Sequence, residues 1–120
     1  PEDILESVAR GVDIFDCIVP TRNARNGTVF TFNGKINIKN AENSSKDEPL
    51  DVQCECKTCK NYSIGYIKHL YSCREISAIQ LMTECNLNFY HKLIDNIRFS
   101  IDNGTFMEYK KSFLERYLNE

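Results

Sequence analysis

From residue 75 to residue 102 apolar side chains recur three and four positions apart: Leu87, Tyr90, Ile94, Ile97 and Ile101, with Phe89 and Leu93 widening the stripe. That period predicts one long amphipathic helix, ended by Asn103-Gly104. Phe106, Tyr109, Phe113, Leu114 and Tyr117 line a final shorter helix, and residues 62–70 read as another. A fourth helix opens at Pro1-Glu2-Asp3, with acids in the first turn where the helix dipole favours them. It carries Ile4, Leu5 and Val8 on its apolar side and stops at Gly11.

Elsewhere the period is two. Residues 28–32 and 35–39 alternate in polarity, and Asn33-Gly34 between them is the preferred pair for a two-residue type I′ hairpin turn. Ile14, Phe15, Cys17 and Ile18 predict a short buried strand over residues 13–19, joined to the first helix by almost no loop and stopped by Pro20. Asp13 and Asp16 lie inside that run, and a carboxylate is rarely buried without a partner or a task. Residues 40–53, with Ser44-Ser45, Pro49 and several acids, read as irregular. One strand, one hairpin and four helices do not close an α/β sheet. By itself the chain reads as α+β, and its first helix and strand want neighbours that it does not supply.

At 120 residues the chain is one domain's worth of core. It opens at Pro1 with no initiator methionine and no signal-like apolar run, and is expected to be a piece of a longer, soluble protein. No window approaches the roughly 18 consecutive apolar residues of a membrane helix. The net charge of −2 decides little, but its distribution is uneven. Between Cys17 and Asn40 stand Arg22, Arg25, Lys35 and Lys39 without an acid, and from Glu42 to Glu55 five acids face Lys46. Such a basic surface suits contact with a polyanion, though a solvated face is the commoner reason for so few charges.

Six cysteines without a secretory signal fit a reducing compartment, where clustered thiols bind metal more often than they pair. Cys54, Cys56 and Cys59 set three thiols within six residues, too tight for separate disulfides and suited to a knuckle closing on one zinc ion. His69 and His91 read as partly exposed helix residues rather than catalysts.

The run GVDIFDCIVPTRNARNG, then INIKNA, CECKTC and LMTECN before an aromatic helix, resembles the C-terminal third of bacterial tRNA-guanine transglycosylases. The resemblance covers essentially the whole chain, in order. It implies a TIM barrel with a zinc-binding subdomain near its C-terminus. On that basis residues 1–27 would be the last barrel helix–strand unit with a catalytic loop, 28–90 the hairpin and zinc subdomain, and 91–120 the C-terminal helices. It also implies an enzyme, a cytoplasmic homodimer, that replaces guanine at the wobble position of a tRNA anticodon with a 7-deazaguanine precursor of queuosine. Asp16 matches the nucleophile, the second Asp of the GVDxFDC pattern, while Asp13 stays structural. Barrel enzymes place catalytic groups at strand ends, and a carboxylate can hold a ribose covalently between two bases. Thr21, Arg22 and Arg25 match contacts to the anticodon loop, where guanidinium suits phosphate and base edges. Lys35 and Lys39 could extend that surface, although for them the solvated reading stays ahead.

At the metal this sequence departs from the family, whose zinc is held by three Cys and one His. Cys85 stands at the His position, so the resemblance implies Cys54, Cys56, Cys59 and Cys85 as ligands of a structural zinc, with Cys73 and His69 as rivals for the fourth. Lys57, Lys60 or Lys68 could offset the added negative charge. Residues that read the base lie outside this chain, so the isolated piece is expected to be inactive. The alternative is a non-catalytic, zinc-stapled RNA-binding or dimerisation module, which would have no reason to keep Asp16 within FDC ahead of PTR.

Overall fold

The computed structural model describes residues 1–118. Its elements run α1 (Glu2–Ala9), α2 (Val19–Arg25), β1 (Thr28–Thr31), β2 (Gly34–Asn37), a 3-10 turn (Ala41–Ser45), α3 (Lys57–Asn61), α4 (Ile64–Ser72), α5 (Ile76–Asp102) and α6 (Phe106–Leu118). This is a helix-rich α+β arrangement around a two-stranded hairpin. Among the described residues no helix is long and apolar enough to cross a membrane.

The 27-residue α5 is the spine. Its buried residues are Ala78, Met82, Cys85, Asn86, Phe89, Leu93, Ile97 and Ser100, one continuous three–four stripe. The expected stripe was turned: Leu87 and Ile101 are exposed, and the true buried line passes through Cys85 and Asn86. That line serves two cores. Ala78, Met82 and Cys85 pack with Ala24, Val29, Ile38, Leu50, Ile64 and Ile67. Phe89, Leu93 and Ile97 pack with Leu5, Phe30, Phe32, Phe113 and Tyr117. Val29 and Phe30 are neighbours on β1, so the strand's alternation sends one into each core. β1 is thereby buried on both sides and packs on α5, while β2 keeps Lys35 and Asn37 exposed.

Three expectations need correction. Residues 12–18 form no strand and are irregular and mostly exposed, Ile14 at 88%. A strand there has no backbone partner among the described residues, whose one sheet holds β1 and β2 alone. Pro20, expected to stop a strand, instead sits in the first turn of α2, where its missing N–H costs nothing. The hairpin forms, but Thr31 pairs Gly34, so the loop is Phe32-Asn33 rather than Asn33-Gly34. Of these residues Gly34 alone takes a positive φ, +117°, so the turn is not type I′. Burial of Phe32 in the aromatic core sets the register, and the Thr31 hydroxyl closes the turn by donating to the Gly34 carbonyl (2.8 Å). Smaller shifts concern α4, which starts at Ile64 because Ser63 caps it, accepting from the Tyr66 N–H (3.2 Å). Residue 90 lies inside α5, which runs unbroken past it.

Candidate metal centre and catalytic segment

The knuckle is built from short-range bonds. The buried Asp51 carboxylate accepts the N–H groups of Phe32 (3.2 Å) and Gln53 (2.9 Å), fixing the loop against the hairpin. Cys54 N–H returns to the Asp51 carbonyl (3.1 Å), and Cys56 is the N-cap of α3. The fully buried Thr58 donates its hydroxyl to the Leu81 carbonyl (2.8 Å), and Glu84 accepts the Lys57 N–H (3.3 Å), so α3 is stapled to α5 beside Cys85.

These contacts bring four sulfurs together. The Sγ atoms of Cys54, Cys56, Cys59 and Cys85 all lie within 4.8 Å of one another, with Cys59 and Cys85 at 3.6 Å. A tetrahedral ion with bonds of about 2.3 Å to sulfur sets its ligands roughly 3.8 Å apart, so the cluster fits a single metal ion after small adjustments. Cys56, Cys59 and Cys85 are buried and Cys54 half-buried. Hydrogen bonding from Cys85 pulls the Cys54 thiol down to about 5 and lowers Cys59 as well, while burial pushes Cys56 up to about 12. Cys85, donating to Cys54 and Cys59, is held far above the usual thiol range. Four thiolates this close are unfavourable without a cation between them, and a bound divalent ion removes that cost. Cys73 and His69 are exposed, 3.9 Å apart, and outside the cluster.

Asp16 lies on the irregular stretch between α1 and α2 and is exposed, as is Asp13. Thr21 is in the first turn of α2, its hydroxyl donating to the Ile18 carbonyl (3.1 Å). Arg22 and Arg25 stand one turn apart near the C-terminal end of α2, both exposed. Ala24 is buried between α2 and the first core, which turns the two guanidinium groups outward.

Sequence reasoning missed the residue that ties these parts together. Asn86, fully buried, donates Nδ2 to the carbonyls of Pro20 (2.9 Å) and Thr28 (3.0 Å) and accepts the Phe30 N–H at Oδ1 (2.9 Å). It follows Cys85 directly, so the residue beside the fourth thiol also anchors the start of the arginine helix. Its signal was a polar residue on the apolar stripe of LMTECN.

The family model described as queuine tRNA-ribosyltransferase matches residues 1–119. The chain belongs to that family. It is 50% identical over 117 residues to the queuine tRNA-ribosyltransferase of Caldanaerobacter subterraneus, covering 98% of this chain and 31% of that protein. Against the Aquifex aeolicus enzyme it is 48% identical over 120 residues, all of this chain and 32% of the relative. With the Leptospira biflexa enzyme identity is 53% over 104 residues, 87% of this chain and 28% of the relative. The chain thus spans about a third of the length of the queuine tRNA-ribosyltransferases it matches. The resemblance to tRNA-guanine transglycosylases named the same family.

Proposed function

We propose that this chain is the nucleophile-bearing and metal-bearing part of a tRNA-guanine transglycosylase. In the full-length protein it would exchange guanine at the wobble position for a 7-deazaguanine base. The observation that carries the reading is the family match over residues 1–119, which includes both FDC-PTR and the four-thiol cluster.

In this reading an Asp16 carboxylate oxygen attacks C1′ of the ribose while the bond from C1′ to guanine breaks. Guanine leaves with the bonding pair and takes up a proton from a group outside this chain. The incoming base then attacks C1′ from the vacated face, the Asp16–ribose bond breaks, the carboxylate is restored and the new base loses its proton. Two inversions give net retention. Aspartate suits the role because it is ionised at neutral pH without a separate base and leaves readily from an oxocarbenium-like centre. Thr21, Arg22 and Arg25 hold the anticodon loop, the guanidinium groups offering paired donors to phosphate. An unpaired loop base is cheap to extrude.

Zinc is the metal we assign to Cys54, Cys56, Cys59 and Cys85, since an all-thiolate tetrahedral set favours it. Bound there it would supply no chemistry to the exchange, because four sulfurs leave no open position; its role is to hold the knuckle on α5. The chain is taken to be the C-terminal part of a TIM barrel whose other parts lie outside it, and the working enzyme to be a cytoplasmic homodimer. The exposed, irregular setting of Asp16 supports inactivity of the piece alone, since nothing here fixes the carboxylate against a ribose.

The test is incorporation of labelled guanine into tRNA. Full-length protein incorporates it, full-length Asp16→Asn loses at least about a thousandfold because the amide is a far weaker nucleophile, and the isolated chain gives none. Wild-type rates from Asp16→Asn, or exchange by the isolated chain, would refute the reading.

A further inference from the structure

Beyond the two α2 arginines the molecule carries a second basic feature. A groove of about 490 Å³ opens where the end of α2 meets the α4–α5 corner. Arg25, Lys39, Lys68 and Arg74 line it with Tyr71, and Glu75 is the one carboxylate on its wall. None of the four cations is ion-paired with a carboxylate among the described residues. The walls are held in place. Tyr71 donates its hydroxyl to the Arg25 carbonyl (3.2 Å), Lys68 donates Nζ to the Lys39 carbonyl (2.9 Å), and the Lys39 ammonium sits 6.0 Å from the centre of the Tyr71 ring. Gly27, at φ +82°, lets Lys39 and Tyr71 close in; a Cβ there would lie 3.3 Å from each and 3.1 Å from Ile38.

Arg74 joins the groove from the turn that ends α4. It is the only non-glycine described residue with positive φ, +58°, in a turn where glycine or asparagine is the default. It is the αL residue of the motif that ends α4, with its N–H on the Tyr71 carbonyl (3.0 Å) and the Glu75 N–H on the Leu70 carbonyl (3.0 Å), and that turn sets its cation on the groove wall.

We propose that this groove is a phosphate track that continues the RNA-binding face past Arg25, with Lys39, Lys68 and Arg74 taking phosphodiester oxygens of the bound RNA. The inference rests on the reading that α2 meets RNA, and adds a surface which that reading does not require. The groove is continuous with Arg25, exceeds the size of a single phosphate, and offers a ring on which a nucleoside can stack; these features favour an RNA strand over an acidic peptide.

The experiment measures affinity of the full-length protein for an anticodon stem-loop hairpin over a salt series. Variants are Arg74→Gly, which keeps the turn's backbone comfortable, Lys68→Ala, Arg22→Ala, and Lys111→Ala on the exposed side of α6 as a charge control. We expect Arg74→Gly and Lys68→Ala each to weaken binding and lower the slope of log Kd against log salt by about 0.7–0.9, with metal content unchanged and Lys111→Ala like wild type. Wild-type slopes in both groove variants, with a lowered slope in Arg22→Ala, would overturn the inference and leave the α2 reading standing. Unchanged slopes in all would overturn both, whereas loss in the groove variants but not in Arg22→Ala would keep the track and remove α2. An equal loss in Lys111→Ala would reduce the effect to net charge and overturn it. So would groove variants that keep RNA binding but lose a polyglutamate peptide.

Discussion

Asn86 illustrates how much one buried amide can decide. Its three hydrogen bonds join α5 to Pro20 at the start of α2 and to Thr28 and Phe30 on β1. Asn86→Ala would strand two carbonyls and an N–H in a dry interior, at roughly 1–3 kcal/mol for each unsatisfied group before relaxation. We expect a loss of about 3 kcal/mol, read as a lower urea midpoint at unchanged slope in the metal-loaded protein; a change below about 0.5 kcal/mol would mean water replaces the amide. Cys85 makes the neighbouring case. Cys85→Ser should lose the bound metal and melt α3 with the knuckle, whereas Cys73→Ser, an exposed thiol outside the cluster, keeps one equivalent. Metal analysis with circular dichroism checks both, and a folded, metal-replete Cys85→Ser protein would contradict the assignment. The thiol cluster was legible because ligands bunch in sequence, and Cys85 because it falls where the resemblance expects a ligand. Asn86 and Asp51 were not, since hydrogen bonds that span a chain leave no local pattern.

At the scale of elements, those whose stability is local were the readable ones. Both ends of α5 lie within a residue of expectation, because a three–four apolar period and Asn103-Gly104 are properties of the sequence nearby. Which side of it faces inward was harder, since Leu87 and Phe89 are equally apolar and only the placement of the hairpin chooses between them. The turn failed for a related reason: Asn33-Gly34 has the right local chemistry, but burying Phe32 against Phe89 (centroids 4.8 Å apart) moves the loop back by one residue and every cross-strand partner by two. The run 13–19 failed for the opposite one. A strand is stable only when its backbone is paired, and the two strands present pair with each other. Its apolar residues, Ile14 and Ile18 among them, are left as exposed surface.

As a whole the molecule is elongated, 46 × 25 × 22 Å, with a radius of gyration of 15.0 Å against about 13.5 Å for a sphere-like domain of this length. The long dimension follows α5, whose 27 residues span about 40 Å. Two cores strung on one helix, with the thiol cluster in the first and α1 closing the second, give a rigid body that carries the FDC-PTR segment at its side. What this body lacks is a wall around Asp16, and the family relatives are about three times its length. The central claim is that Asp16 holds the ribose, and it is tested most directly by trapping. Full-length protein is incubated with the anticodon hairpin, quenched under denaturing conditions, digested, and the RNA-linked peptide identified by mass. The account predicts one adduct, on the peptide spanning residues 11–22, with the ribose carbon attached at Asp16 and no adduct in Asp16→Asn. An adduct mapped to another carboxylate, or one that survives Asp16→Asn, would contradict it.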